Sequence, residues 1–280
     1  MTAAMNPSAF VDFTLKEIQV LTPNTSRFVF ELPADQVLGM TTTSCLMIKY
    51  TNAEGKAVIR PYTPTSDVNQ KGHFDLIVKR YDGKSNGNIS RSKERTGVMS
   101  AHIHNLKVGD TLALKVIELQ SFSFKGPMSK YPLQANQHES VSLIAGGTGI
   151  TPMWQVIGAL LKDSEDKTKI NLLFANNTAQ DIILKDELEA LAAAHPDRFK
   201  ITYVIDAAAE GWTGETGYVT ADLIKKYLPE AGSAGNKVFV CGPPPMMVSV
   251  CGPKGPNFTQ GEVEGALKEL GLTIEQVFKF

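Results

Sequence analysis

No run of apolar residues in this chain approaches the roughly 20 that a membrane-crossing helix needs, so no transmembrane span is expected. Cysteine is scarce: Cys45, Cys241 and Cys251 are the only three in 280 residues. They form neither an even disulfide set nor a metal-ligand spacing, which points to a reducing compartment and excludes a fused iron–sulfur module. Charge of one sign is also missing. Lys and Arg number 28 against 29 Asp and Glu, a net charge of -1, which argues against a dedicated nucleic-acid binder and leaves any docking charge local. The histidines are His73, His102, His104, His138 and His195. His102 and His104 would share a face in a strand, but no third ligand lies nearby in sequence; no metal site is expected and all five are read as surface or loop residues. Residues 1–9 are small and polar, with neither an apolar signal core nor an Arg-rich amphipathic pattern. No internal repeat is seen.

What is present is a length sufficient for two domains and a globular composition, 42% hydrophobic and 20% charged. The first half reads as strands over 10–18, 26–31, 45–50, 58–62, 73–79 and 111–118, several of them alternating and separated by Gly, Asn and Pro turns. This pattern predicts an antiparallel barrel. Beyond 134–138 the pattern becomes strand and helix in turn: 141–145, 152–162, 170–175, 184–194, 200–205, 220–227 and 237–241. That is an α/β parallel sheet with helices on its faces. Domains are expected at 1–133 and 134–280. Residues 82–97, rich in Gly, Asn, Ser and charge, read as a flexible loop.

Two segments carry chemistry. Gly146-Gly147-Thr148-Gly149-Ile150-Thr151-Pro152 follows the apolar run 141–145 and enters a helical pattern. Gly146, Gly147 and Gly149 are expected to permit positive φ and to leave room for a phosphate, with Thr151 as N-cap and Pro152 at the first helical position. The helix N-terminus then faces an anion. Pro152 replaces the third glycine of the standard dinucleotide fingerprint, and an ordinary tight turn is the alternative. The second segment is Cys241-Gly242-Pro243-Pro244-Pro245-Met246, read as a stiff loop at the carboxyl end of a buried strand, where open parallel sheets bind ligands. The bland reading is a rigid turn, with Cys241 a small buried hydrophobe.

With Arg60-Pro-Tyr-Thr-Pro64, Val78-Lys-Arg-Tyr81, Gly97-Val-Met-Ser100, Phe124-Lys-Gly-Pro127, Lys130-Tyr-Pro132 and Glu210-Gly-Trp-Thr-Gly214, these segments resemble the ferredoxin-NADP reductase superfamily. The resemblance is nearest to the NADH-cytochrome b5 reductases of the fungal mitochondrial branch. It covers nearly the whole chain and implies an antiparallel Greek-key FAD-binding barrel followed by an NADH-binding α/β domain. By this resemblance Arg60 binds the flavin pyrophosphate, Tyr62 packs on the isoalloxazine and Thr63 hydrogen-bonds near N5. Pro61, Val78, Lys79, Tyr81, Gly97, Val98, Met99 and Ser100 complete the FAD set, and Thr151 approaches the ring from the second domain. The NADH set is Gly146, Gly147, Thr148, Gly149, Asp206, Cys241, Gly242, Pro243, Pro244 and Met246. Thr63, Tyr62 and Cys241 bear on catalysis by position; no residue need act as nucleophile or acid.

The implied activity passes hydride from NADH to FAD, then single electrons to cytochrome b5 or a similar haem protein. Other readings are the reductase module of a nitrate-reductase-type system and a non-enzymatic nucleotide-sensing subunit. Asp206 ends the strand 201–205 and precedes Ala207, Ala208 and Ala209 where a phosphate-binding enzyme places Arg or Lys; the resemblance makes it the mark of NADH preference, a strand-end cap being the bland reading. Val98 departs from the family, which often has lysine there; if the acceptor is acidic, Arg91, Lys93 and Arg95 in the adjacent loop would supply the missing docking charge, a merely solvated loop being the bland reading. The expectation is a monomer, soluble as given. It is cytoplasmic, or in the mitochondrial intermembrane space or associated with the outer membrane if an N-terminal anchor has been removed.

Overall fold

Phe13 and Leu15, Phe28 and Phe30, and Phe74 and Leu76 are buried, the members of each pair two positions apart. That period builds the first of two units, Met1–Ser121 and Phe122–Phe280, in this computed structural model, which describes residues 2–5, 9–81, 97–116, 131–208 and 210–280. The division precedes the expected boundary at 133, and the Phe124–Pro127 match, Lys130 and the basic residues Arg91, Lys93 and Arg95 lie outside the described residues.

The first unit contains β1 (Val11–Thr22), β2 (Thr25–Glu31), β3 (Leu46–Thr51), β4 (Ala57–Tyr62), β5 (His73–Lys79), α1 (Val98–His104) and β6 (Thr111–Val116). The strands are antiparallel, in the order β4-β3-β6-β1-β2-β5. The Greek-key expectation holds. Irregularities at Leu15/Glu17 and Val20/Thr22 bend β1, so that its first residues pair with β6 and the rest with β2. The margins also meet: beyond β4, Thr65 donates its N–H to the Asp75 carbonyl of β5 at 3.0 Å, and the Asp75 N–H donates to the Ser66 hydroxyl at 3.1 Å. This wall closes on Phe13, Phe30 and Phe74, whose rings lie 5.3 to 5.4 Å apart.

Helix α1 did not announce itself in the sequence, and it corrects the reading of two histidines. His102 stacks on Tyr50 at 3.9 Å and 6°, and His104 Nε2 donates to the Val78 carbonyl at 2.9 Å while its ring meets Phe28 edge-on. On a helix, positions two apart do not share a face, so the pair is packing rather than a ligand set. His73 likewise belongs to β5 and not to a loop.

The second unit runs β7 (Ser140–Gly146), α2 (Ile150–Lys162), β8 (Lys169–Asn176), α3 (Lys185–Ala194), β9 (Phe199–Ile205), β10 (Glu215–Thr216), α4 (Ala221–Tyr227), β11 (Asn236–Cys241), α5 (Pro244–Cys251), α6 (Gly265–Glu269) and β12 (Val277–Lys279). Its parallel sheet has the order β10-β9-β8-β7-β11-β12. Every residue of β7 is buried, as expected of a central parallel strand covered on both faces. Ile144, Leu173, Val204, Val238 and Val240 share one core with residues of α4, α5 and α6. Tyr131, Phe239, Phe278 and Phe280 form an aromatic cluster with centroids 4.9 to 5.9 Å apart.

Two helix starts differ from expectation. A 3-10 turn, Gly147–Gly149, feeds α2, and Gly149 stands at the cap; Thr151 is therefore not the N-cap and Pro152 is not the first helical residue. The Thr151 hydroxyl instead donates to the Thr148 carbonyl at 3.1 Å. Pro244 and Pro245 do not extend a stiff loop but open α5. Proline's fixed φ suits a first turn, whose N–H groups lack helical partners in any case.

His138 does lie in a loop, half-buried, with its Nε2 2.6 Å from the Tyr131 hydroxyl. Burial, then the Lys237 ammonium, push its imidazole below the ordinary value, so it folds neutral. As pH falls below about 6.5 the unfolded chain gains a proton that the folded imidazole resists, and stability drops. His138→Gln should flatten this acid-side slope, read from urea midpoints of the second unit at about pH 5 and about pH 7.

Candidate functional site

In the second unit the chain leaves β7 toward β8 and β9 on one side, while β11 pairs with β7 on the other, Cys241 opposite Ala145. The carboxyl ends of β7 and β11 therefore flank the point where strand order reverses, which is where open α/β sheets bind ligands. Both chemical segments stand there. Gly147 alone of the three glycines in the turn has positive φ, 51°, and a Cβ on it would meet nothing within 4 Å, leaving an open approach to the turn's main chain. Gly146 and Gly149 have negative φ, contrary to expectation. Close approach to backbone requires glycine at Gly149, while at Gly146 the crowding comes from side chains. A Cβ on Gly149 would overlap the Cys241 carbonyl, and one on Gly146 would overlap Met246 Sδ and lie 2.9 Å from Pro243. Met246 also closes on Gly242, where a Cβ would come within 2.7 Å of its sulfur. Cys241 is half-buried and Pro243, Pro244 and Pro245 are exposed. Thr151 is buried, Thr148 half-buried.

Asp206 follows β9, and its N–H donates to the Asn177 carbonyl just beyond β8 at 3.2 Å. That bond brings the end of β9 beside the end of β8, where no carboxylate stands. Burial, then the Asp181 carboxylate, hold Asp206 above the ordinary carboxylate range. Asp181 was missed in the sequence. It closes a short 3-10 turn, Ala179–Asp181, and accepts from the Thr178 hydroxyl at 2.8 Å; the Thr-x-x-Asp spacing was the available signal. Asn176, 6% exposed, has neither side-chain polar atom hydrogen-bonded among the described residues. Ala207 and Ala208 are exposed, and Ala209 lies outside the described residues.

In the first unit Arg60 and Tyr62 pair with Ile48 and Leu46, so both lie on the face that β3 turns toward the core, with Pro61 on the other. The Arg60 Nη1 donates to the Ile59 carbonyl at 2.7 Å. Burial, then the charge of Tyr81, raise the Tyr62 phenol, with Arg60 opposing; it stays neutral at ordinary pH, a flat face with an O–H to donate. Thr63 is half-buried just after β4.

Lys79 ends β5, and a staple joins the neighbouring Tyr81 to α1. The Tyr81 N–H donates to the Ser100 hydroxyl at 3.3 Å, and that hydroxyl donates to the Gly97 carbonyl at 3.0 Å. Gly97 has φ 83°, and a Cβ there would overlap the Tyr81 carbonyl, so only glycine lets the backbones meet. Val78 and Met99 are buried in the core cluster, leaving only their main chain for any ligand; Val98 is half-buried. The expected FAD residues thus fall into two groups, Arg60 to Thr63 on the β4 margin and Lys79 to Ser100 around the staple. Among the described residues no three His, Cys, Asp or Glu side chains gather as a metal set.

Comparison with known proteins agrees with this division of labour. The oxidoreductase FAD-binding domain family matches residues 12–132 and the oxidoreductase NAD-binding domain family residues 143–252. NADH-cytochrome b5 reductase 2 of Yarrowia lipolytica is 47% identical over 272 residues, covering 97% of this chain and 86% of that protein. Its counterpart in Debaryomyces hansenii is 45% identical, covering 97% and 83%. Among solved structures, the cytochrome b5 reductase domain of Ulva prolifera nitrate reductase superposes over all of both chains, with TM-score 0.80 and 33% identity.

The close approach at Gly149 gives a direct test. Gly149→Ala must push the end of β11 away from the turn, which should cost about 1–3 kcal/mol of stability as an overpacked contact. NADH affinity measured by calorimetry should fall with it, whereas Gly147→Ala should cost much less by the steric criterion, its penalty coming from positive φ alone.

Proposed function

Because the chain belongs to the NADH-cytochrome b5 reductase family, we propose that it passes hydride from NADH to FAD and then single electrons to cytochrome b5 or a similar haem protein. The observation that carries this reading is the pairing, in one chain, of a closed antiparallel barrel bearing Arg60-Pro-Tyr-Thr-Pro64 with a parallel sheet whose switch point bears both the glycine turn and Cys241–Met246. FAD, when bound, supplies a two-electron acceptor that can release electrons one at a time. The chain's residues bind and orient. Arg60 is assigned to the pyrophosphate, the neutral Tyr62 face to the ring and Thr63 to its N5 edge. Lys79, Tyr81 and the Gly97–Ser100 turn take the ribityl and phosphate portion. The fit is supported by the Gly97 cradle, which a Cβ would fill, and by the polar staple behind it. Gly146–Gly149 and Cys241, Gly242, Pro243, Pro244 and Met246 are assigned to NADH on the strength of their place at the switch point, and Thr151 to the flavin.

The functional domain boundary is placed at 133/134, supported by family matches that end at 132 and resume at 143. The protein is proposed to act as a monomer whose haem partner docks by local charge. Among the described residues no helix is long and apolar enough to cross a membrane. The three free cysteines support a compartment that keeps thiols reduced; the cytoplasm is proposed, with the mitochondrial intermembrane space or association with the outer membrane as the alternative.

The test of the whole reading is spectral. The purified protein should be yellow, bleach with NADH in the absence of oxygen, and recover its colour on adding oxidised cytochrome b5, faster than with a quinone. A colourless protein that binds NADH would favour the sensing reading instead. Arg60→Ala should weaken FAD retention by about 1.5–3 kcal/mol, the worth of a hydrogen bond to a charged group, measured as flavin occupancy after dialysis; full occupancy would sink the assignment. Asp206 accepts hydrogen bonds from ribose hydroxyls and repels a 2′-phosphate. Asp206→Thr should therefore lower the ratio of kcat/KM for NADH over NADPH by at least about tenfold, roughly 1.4 kcal/mol, and a smaller change would remove Asp206 as the selector.

A further inference from the structure

Lys279 is a buried lysine. It is 1% exposed, in the last strand, and among the described residues no carboxylate comes within ion-pairing distance. A buried ammonium in that position must find its hydrogen bonds in the main chain or carry a large desolvation cost. Lys279 finds them. Nζ donates to the Pro253 carbonyl at 3.0 Å and the Glu262 carbonyl at 2.7 Å. Burial pushes the ammonium below its ordinary range, opposed first by Cys251 and then by the charges of Glu264 and Glu262.

The main chain of Lys279 is fixed just as firmly. Its N–H donates to Gln260 Oε1 at 2.6 Å, and Gln260 Nε2 returns a bond to its carbonyl at 3.1 Å. In the sheet it stands opposite Val240, and the next residue, Phe280, donates its N–H to the Val240 carbonyl at 3.0 Å. Val240 immediately precedes Cys241. Pro253 follows α5 by one intervening residue, Gly252. The last strand thus holds both ends of the stretch that carries Cys241, Gly242, the three prolines and Met246: the Phe280 N–H ties the entrance at Val240 and the Lys279 ammonium ties the exit at Pro253.

Other ties on this stretch are few. Helix α5 makes one full set of turns, its Met247 N–H bonding the Pro243 carbonyl at 3.0 Å, and the Cys251 carbonyl accepts from Glu264 at 3.1 Å. Cys251, wholly buried beside the ammonium, donates its thiol only to main-chain carbonyls, Met247 and Gly252 at 3.4 Å. Pro243, Pro244 and Pro245 are exposed and Met246 only half-buried. The exposed part, Gly242 to Met246, is therefore oriented by what flanks it, β11 before it and the buried Met247, Val250 and Cys251 of α5 after it.

We propose that Lys279 is a positioning residue for the nucleotide site, a buried cationic strut that sets the angle of α5 and so the placement of Gly242–Met246 against the glycine turn. A methionine of similar length would fill the same space without the charge, so filling the core is not why a lysine stands here. Its kinetic consequence rests on the NADH reading of this site; its structural consequence does not.

The test compares wild-type holoenzyme with Lys279→Met and Lys279→Gln, the second retaining one amide donor group. Peptide-resolved hydrogen exchange should accelerate by about tenfold in residues 247–251, the change expected for loss of one charge-assisted bond, and remain unchanged in β8 and β9. The KM for NADH and its calorimetric Kd should rise by a similar factor while kcat stays within about twofold, and Lys279→Gln should fall between. If Lys279→Met yields no folded protein, Lys279→Gln carries the comparison. A lowered melting temperature with exchange raised evenly across the sheet, or with NADH affinity unchanged, would overturn the proposal and leave Lys279 a stability element. Should wild-type flavin fail to bleach with NADH, the functional reading falls, and exchange in 247–251 still decides this one.

Discussion

A close approach in the second unit, between the turn after β7 and the carbonyl of Cys241, governs much of what surrounds it. There is no space for a Cβ at Gly149, and almost none at Gly146 or Gly242. Because these positions are bare, two strand ends of a doubly wound sheet can converge and Met246 can lie across the glycines. A parallel sheet exposes main-chain N–H groups at such a junction without offering side chains that would crowd a ligand. The register Cys241 with Ala145 and the direction of α5 both follow from this contact.

The first unit solves a similar problem with different means. Gly97 lies against the Tyr81 carbonyl, with Ser100 as a polar link between them. Here positive φ and close approach are needed together, so the turn into α1 admits no other residue. Around it the charge is arranged to bind rather than to react. Tyr62 is kept neutral, Arg60 stands two residues before it on the same strand face, and among the described residues no side chain is arranged as a nucleophile beside a base. Chemistry of the kind proposed asks for orientation and leaves the electronic work to the cofactor.

Stability and placement are coupled at the far edge of the second sheet. Phe239 and Phe278 pack against Tyr131, and Phe280 packs on both phenylalanines; the fully buried Phe239 ring contributes roughly 1.5–3 kcal/mol by removal from water. This apolar face holds β12 to β11, and it thereby delivers a lysine to a buried position where only carbonyl oxygens are available. Hydrophobic burial supplies the force and the ammonium supplies direction. The arrangement illustrates why a buried charge is a poor measure of stability and a good sign of specificity in geometry.

By itself the sequence determined the class of each unit, because alternation of period two and the strand-helix rhythm are local properties of consecutive residues. It also located the strands within a few residues, and it marked Gly146–Gly149, Cys241–Met246 and Arg60–Pro64 by residue type and order. Tertiary structure decided why those residues are needed. That Gly149 is bare for the sake of a carbonyl 92 positions away, that His102 and His104 belong to a packing helix, and that Pro244 starts α5 rather than stiffening a loop were not legible. Nor was the meeting of Asp206 with Asn177, the charge of Asp181 beside it, or the task of Lys279. Each depends on which distant segment arrives next to which, and that is set by sheet order and by the exclusion of overlapping atoms, neither of which is written in the spacing of neighbouring residues.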